Sequence, residues 1–225
     1  MQANYAQRLR LTFSKAGPTR YISHLDLART LERALNRARI PVSYTQGFNR
    51  RPRLQIAAAL PLGYTSECEL ADIWLEEQME PERVGRQLTA KMAPGITIHQ
   101  VEEVPLSGPA LPSLTAEAAY VATVLDVVHM ADLQRRIDDL LAVDSLVRER
   151  GHSRKRKAYD LRPLIYELEV VETADGAVQI HMRLALMPSE TGRPDEVLLA
   201  LGLDPLSARI HRSKIALADE RRAGE

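Results

Sequence analysis

This 225-residue chain has a single thiol, Cys68, so it forms no internal disulfide, and one thiolate does not by itself hold an iron–sulfur cluster or a zinc ion. Also missing is any run near the roughly 20 apolar residues that a membrane span needs. The opening Met-Gln-Ala-Asn-Tyr lacks the basic and apolar regions of a signal peptide, so the expectation is a cytoplasmic protein with no membrane partner. Common catalytic signatures are absent: there is no G-x-x-x-x-G-K-[ST] phosphate loop, no G-x-G-x-x-G turn, no H-E-x-x-H pair and no G-x-S-x-G elbow. The histidines (His24, His99, His129, His152, His181, His211) are scattered, and neither a metal site nor a resident cofactor is expected.

Net charge is lacking too, since 30 Lys and Arg balance 30 Asp and Glu, which by itself argues against a polyanion partner. The average conceals segregation. Residues 29–53 hold seven arginines (Arg29, Arg33, Arg37, Arg39, Arg50, Arg51, Arg53) against Glu32 alone, and residues 146–163 hold seven basic residues against Glu149 and Asp160. Residues 67–82 carry seven acids and no Lys or Arg. Such asymmetry suits a polyanion surface on one side and a protein-binding surface on another.

With 45% hydrophobic and 27% charged residues the chain can bury a core, and its length fits two compact halves. Residues 8–14 alternate, with Leu9, Leu11 and Phe13 on one face and Arg8, Arg10 and Thr12 on the other, as in a half-buried strand. Ser23 can cap a helix that carries Leu27, Ala28, Leu31, Leu35 and Ala38 as an apolar stripe and is ended by Pro41. Strands are predicted over 53–60, 69–77 and 96–104, and a helix from Pro81 through Met92 closed by Gly95. Residues 105–115 hold three prolines and a glycine without periodicity and read as a linker. Beyond it, strands over 118–128, 164–171, 178–186 and 207–217 and helices over 131–141 and 194–201 repeat the order, with Asp175-Gly176 as a hairpin turn. The expected fold is α+β: two tandem ferredoxin-like (βαββαβ) domains over 1–104 and 116–225, the second with a basic loop at 148–157.

Three clusters carry candidate chemistry. His24, beside Tyr21 and Lys15, stands where a helix begins and suits proton transfer or phosphate binding, though Ser23, His24 and Asp26 equally suit plain capping. Gly47-Phe48-Asn49-Arg50-Arg51-Pro52-Arg53 offers an aromatic face, an amide and three guanidinium groups for stacking beside phosphate contacts, or else Phe48 plugs the core. The run Arg154-Lys155-Arg156-Lys157 is a cationic loop that binds RNA or stays solvated, and Tyr159, Asp160, Arg162 and Tyr166 either complete that surface or leave Asp160 and Arg162 paired together. His181, alternating with Gln179 and Arg183, is expected on an outward sheet face.

Arg10-Leu11-Thr12-Phe13-Ser14-Lys15-Ala16-Gly17, Tyr21-Ile22-Ser23-His24-Leu25-Asp26-Leu27, Gly47-Phe48-Asn49, Arg51-Pro52-Arg53, Pro61-Leu62-Gly63 and Ser66-Glu67-Cys68-Glu69 resemble the radical-SAM-linked, or DUF2344, family. Asp160-Leu161-Arg162-Pro163-Leu164-Ile165 is a later echo, and Arg50 stands where the family usually has a turn residue such as Pro. The resemblance implies an accessory to a radical S-adenosylmethionine enzyme, while the three-cysteine cluster motif of that enzyme is missing from this chain. The leading expectation is an RNA-binding, non-catalytic module for tRNA or rRNA that partners such an enzyme. It binds phosphates through Arg29, Arg33, Arg37, Arg50, Arg51, Arg53 and 154–157 and stacks bases on Phe48 and Tyr21, while acids within 67–82 face the partner. Two competitors remain. One is a metal-independent endoribonuclease similar to the CRISPR repeat-processing nucleases, with His24 as general acid or base and Tyr21 and Lys15 steadying charge; the other is a protein-interaction scaffold.

Overall fold

The computed structural model describes residues 5–150 and 157–218, and the chain is mixed α+β with two compact units, one through Thr115 and one spanning Ala116–Ala216. The first unit runs β1 (Gln7–Lys15), α1 (His24–Arg37), β2 (Leu54–Ile56), β3 (Thr65–Leu75), α2 (Pro81–Thr89), β4 (Ile96–Val104) and α3 (Leu111–Leu114). Its strands lie in the order β4-β1-β3-β2, each pair antiparallel, with Leu9 opposite Ile73 and Arg10 opposite Asp72. Leu9, Leu11 and Phe13 of β1 point into one core with Leu27, Leu31, Ala34 and Leu35 of α1 and Val84 and Leu88 of α2. Each leucine, Val84 and Phe13 contributes about 1.5–3 kcal/mol by leaving water.

The row Arg8, Arg10, Thr12 departs from the half-buried expectation: Arg8 is only 4% exposed and Arg10 is partly buried. The segment predicted as a linker packs at the Arg8 end of this row. Pro109 O accepts from Arg8 Nη2 (3.0 Å), Leu111 is fully buried, and its N–H donates to Gln55 Oε1 (3.2 Å). Proline removes periodicity without preventing packing, and Pro112 sits in the first turn of α3, where its missing N–H costs nothing.

Other boundaries shift for local reasons. β2 is shorter than the predicted 53–60 because the chain leaves the sheet toward the Pro61-Leu62-Gly63 turn. α1 ends before Pro41: Arg39 takes φ +54, its N–H donates to Asn36 O (3.1 Å), and Ile40 N–H donates back to Leu35 O (3.2 Å), a Schellman closure made with a non-glycine residue. α2 stops at Thr89, and Gly95 serves a turn instead. Its φ is +94, its carbonyl accepts from Ala16 N–H (2.8 Å) and Thr19 Oγ1 (3.0 Å), and a Cβ there would lie 2.5 Å from Ala16 O.

The second unit runs β5 (Thr115–Val124), α4 (Met130–Ala142), β6 (Val147–Arg150), β7 (Lys157–Asp160), β8 (Ile165–Glu172), β9 (Val178–Ala185), α5 (Pro194–Ala200) and β10 (Ala208–Leu217). Its sheet order is β10-β5-β9-β8, with β5–β9 and β8–β9 antiparallel, and β6–β7 form a separate two-stranded ladder. Leu133, Ile137 and Leu140 of α4 and Val197 and Leu198 of α5 are buried, as are Tyr120, Ile180, Met182 and Leu184 of the strands. β5 stops four residues before the predicted end at 128, and Val127 beyond it is exposed. Among the described residues no helix is long and apolar enough to cross a membrane.

Candidate nucleic-acid interface

Residues 45–51 form a loop closed at its neck. Thr45 N–H donates to Arg51 O (2.8 Å), Arg51 N–H donates to Thr45 Oγ1 (3.1 Å), Arg53 N–H donates to Ser43 O (2.7 Å), and Tyr44 bridges to Pro52. At its far end Phe48 is 104% exposed, so the ring is no core plug, and Asn49, Arg50 and Arg51 are exposed with it. Among the described residues neither Arg50 nor Arg51 pairs with a carboxylate. Tyr44 Oη donates to Asn36 Oδ1 (3.0 Å), which anchors the loop at the C-terminal half of α1.

The arginines of α1 are all exposed but unequally engaged. Arg29 pairs with Asp26 (3.2 Å) and Arg37 Nη2 donates to Lys91 O (2.9 Å), whereas Arg33, like Arg39 just past the helix, has no acid partner among the described residues. Ser23 caps the helix: Asp26 N–H donates to Ser23 Oγ (3.1 Å) and Ser23 Oγ donates to the Asp26 carboxylate (2.7 Å). The Ser23 hydroxyl, and after it Arg29, hold the Asp26 carboxyl below the usual carboxylate range.

His24 is exposed at the start of α1, and Tyr21 is exposed under the Arg20 guanidinium, 4.7 Å from its ring centre. Lys15 is elsewhere in character: only 1% exposed, its Nζ donating to Ile22 O (3.4 Å). Gly63 N–H donates to Arg20 O (2.8 Å), so the Tyr21 and Pro61-Leu62-Gly63 motifs are neighbours. From His24 to Asn36, where the 45–51 loop docks, α1 advances about 18 Å, so the two clusters lie at opposite ends of the helix.

Arg53 differs from its loop neighbours. Its guanidinium stacks on Tyr5 (4.2 Å) and on Trp74 (4.6 Å), and Arg8 also lies over Trp74 (4.9 Å). Beneath this stack Asp72, fully buried, accepts from Arg8 Nε and Nη2 (3.0 and 2.6 Å) and from Arg10 Nε and Nη2 (2.8 and 3.1 Å). Neither Trp74 nor Asp72 stands out in a sequence reading, because the register that sets Arg8 opposite Trp74 and Arg10 opposite Asp72 exists only in the folded sheet. Within 67–82, Glu69 and Asp72 are buried, leaving Glu67, Glu76, Glu77, Glu80 and Glu82 at the surface.

In the second unit, Arg154, Lys155 and Arg156 lie outside the described residues, and Lys157 is exposed at the start of β7. Arg148 is paired with Glu196 (3.3 Å). Asp160 and Arg162 do not pair side chain to side chain: Asp160 Oδ1 accepts from Leu146 N–H (2.7 Å) and Arg162 N–H (3.0 Å), while the Arg162 guanidinium donates to Leu141 O and Ile165 O. The Leu146 and Arg162 amides and Ser145 hold the Asp160 carboxyl below its ordinary range. On the outer row of β9, His181 and Arg183 are partly exposed; Arg183 is gripped by Glu167 (2.5 Å) and Glu117 (2.8 Å), which raise its pKa. Among the described residues no group of three His, Cys, Asp or Glu side chains converges as a metal site would.

No curated protein matches the chain. Among solved structures it is similar to a chain of a Cbf5-Nop10-Gar1 complex, at 11% identity and TM-score 0.51 over 92% of this chain and 48% of that one. It also matches a chain of an H/ACA RNP bound to a substrate RNA containing 2'-deoxyuridine (13% identity, TM-score 0.45, 92% of this chain and 47% of that). A third match is a chain of the archaeal box H/ACA sRNP Nop10-Cbf5 complex (14% identity, TM-score 0.41, 94% and 48%). The chain spans about half the length of these solved chains, and the first likeness is one of fold alone. Residues 8–194 match the model of the family described as an uncharacterized protein conserved in bacteria (DUF2344), and the chain belongs to that family.

Proposed function

We propose that this protein binds single-stranded regions of tRNA or rRNA through the 45–51 loop and the arginine-bearing side of α1, as a non-catalytic accessory to a radical S-adenosylmethionine enzyme. The observation that carries the reading is Phe48, fully exposed at the end of a neck-closed loop and followed by Arg50 and Arg51, which meet no carboxylate among the described residues. A ring left fully in water contributes nothing to the core and is useful where a base stacks on it, and guanidinium groups beside it meet the phosphates. Arg33 and Arg39 extend the cationic surface along α1, and Arg39 keeps a strained left-handed backbone where glycine would fit at no cost. The exposed Glu76, Glu77, Glu80 and Glu82 suit a partner protein, and one cysteine does not supply the three thiolates of a radical S-adenosylmethionine cluster. The strand orders β4-β1-β3-β2 and β10-β5-β9-β8, each interleaved with helices, support reading both units as ferredoxin-like sandwiches.

The test is fluorescence anisotropy of a labelled single-stranded RNA, with chelator present and the RNA re-examined on a denaturing gel. Phe48→Ala is expected to weaken binding by about tenfold or more, as loss of one stacked base does, and Arg50→Ala/Arg51→Ala to weaken it further, with the RNA intact. Affinity indifferent to all three substitutions overturns the reading. Chelator-resistant cleavage lost in His24→Ala makes the protein an endoribonuclease instead.

A further inference from the structure

A cavity of about 430 Å³ opens in the second unit, lined by β7, the start of β8 and the turn after β9. Its apolar wall includes Tyr159, Leu164, Tyr166 and Met187; Ser189 and Glu190 supply polar groups, and Lys157 stands among the lining residues. The volume is that of a small-molecule site, and its mainly apolar wall with a few polar groups is the usual composition of one.

The walls are held in place before any ligand arrives. Met187 N–H donates to Glu190 O (3.0 Å), Glu190 N–H donates to Met187 O (3.2 Å), and Thr191 Oγ1 donates to Met187 O (2.9 Å), which closes the 187–191 turn. Gly192 lets that turn press against Leu164, just before β8: a Cβ there would lie 2.8 Å from Leu164 O. On the other side Asp160 ties down the Leu146 and Arg162 amides, and Arg183, clamped between Glu117 and Glu167, lies 5.5 Å from the Tyr166 ring centre. A preformed site loses little entropy on binding.

We infer that this cavity receives one nucleobase carrying an exocyclic amine, with its ring among Tyr159, Tyr166 and Met187, its amino edge on Glu190 and Ser189, and its phosphate toward Lys157. Two tyrosines and a methionine suit a flat π-system, which either face of the ring can meet. A carboxylate accepts hydrogen bonds and does not donate them, so Glu190 favours adenine, cytosine or guanine, each of which presents an exocyclic amino group, over uracil, whose single N3–H donor lies between two carbonyl oxygens that a carboxylate repels. The base comes either from an RNA strand, in which case the inference rests on the proposed RNA binding, or from a free nucleotide.

The experiment titrates the whole protein with AMP, CMP, GMP and UMP by calorimetry and, separately, with the single-stranded RNA used above. At least one amino-bearing monophosphate is expected to bind about tenfold or more tightly than UMP, and Glu190→Gln, whose amide also donates, narrows that gap. Met187→Trp, which fills the cavity, and Tyr159→Ala, which removes a stacking ring, are both expected to lose monophosphate binding, with folding checked by circular dichroism. Monophosphate binding with no RNA binding supports the cavity and assigns it to free nucleotides, while refuting the RNA proposal. RNA binding that Phe48→Ala weakens, with no monophosphate bound and Met187→Trp without effect, overturns the cavity inference and leaves the RNA proposal standing. Equal affinity for all four monophosphates, unmoved by Glu190→Gln, also overturns it.

Discussion

Asp72 carries the charge balance of the first sheet, because two guanidinium groups that would each be costly to bury converge on its carboxylate. Removing one member of such a group leaves the others charged and unpaired in the interior. Asp72→Ala is expected to cost about 3–5 kcal/mol in urea unfolding, whereas a triple change to apolar residues, Arg8→Met/Arg10→Met/Asp72→Leu, recovers most of that loss. A midpoint unchanged by Asp72→Ala would show that water reaches the site. Arg39 makes the opposite case. Its left-handed backbone costs roughly 1–2 kcal/mol in a non-glycine residue, so Arg39→Gly is expected to raise the melting temperature while weakening RNA binding. A variant that is stabilised with RNA affinity intact would show that Arg39 has no part in the interface.

At the scale of elements, the pattern of apolar residues was the reliable guide. Leu9, Leu11 and Phe13 alternate at the period of a strand, and Leu27, Leu31 and Leu35 recur at that of a helix, so β1 and α1 are legible in the first 40 residues. The covering of β1's second face was not legible, because it depends on Pro109 and Leu111, about a hundred residues away, in a segment whose prolines hide any period. The candidate site divided on the same line. Phe48, Arg50 and Arg51 are local to one loop and were visible from residue type, while Arg53 was drawn away from them by Tyr5 and Trp74, contacts only the folded sheet creates. Lys15, Asp160 and Arg162 went the same way, turned to backbone carbonyls and amides. Asp160 also gives the β6–β7 ladder a pH response. Because Asp160's folded pKa is depressed, the stability it lends is present above the ordinary carboxylate range near pH 4 and is lost as pH falls through the folded value. The amide resonances of Leu146 and Arg162 are expected to move together at a pH below 4, and in Asp160→Asn that joint transition disappears; its persistence there would assign it to another acid.

For the whole molecule, a net charge of zero does not translate into electrostatic neutrality toward RNA, because the acids are unevenly spent. Asp72 absorbs Arg8 and Arg10, Glu117 and Glu167 absorb Arg183, and Glu196 takes Arg148, while Arg33, Arg39, Arg50 and Arg51 meet no carboxylate among the described residues. At the proposed interface, attraction to a polyanion is set by those four and not by the total, since an arginine already held by a carboxylate is less available to a phosphate. Each phosphate contact on a single strand contributes about −0.7 to the slope of log K against log salt, so four contacts give a slope near −3 and about a fiftyfold loss of affinity between 50 and 200 mM salt. Arg50→Ala/Arg51→Ala is expected to flatten the slope by about 1.4, whereas Phe48→Ala lowers affinity at every salt concentration and leaves the slope as it was, because stacking releases no ions. Anisotropy titrations of the wild type and both variants across that range separate the two terms. A wild-type slope near zero means the attraction follows the net charge after all, and then the unpaired arginines do not hold RNA.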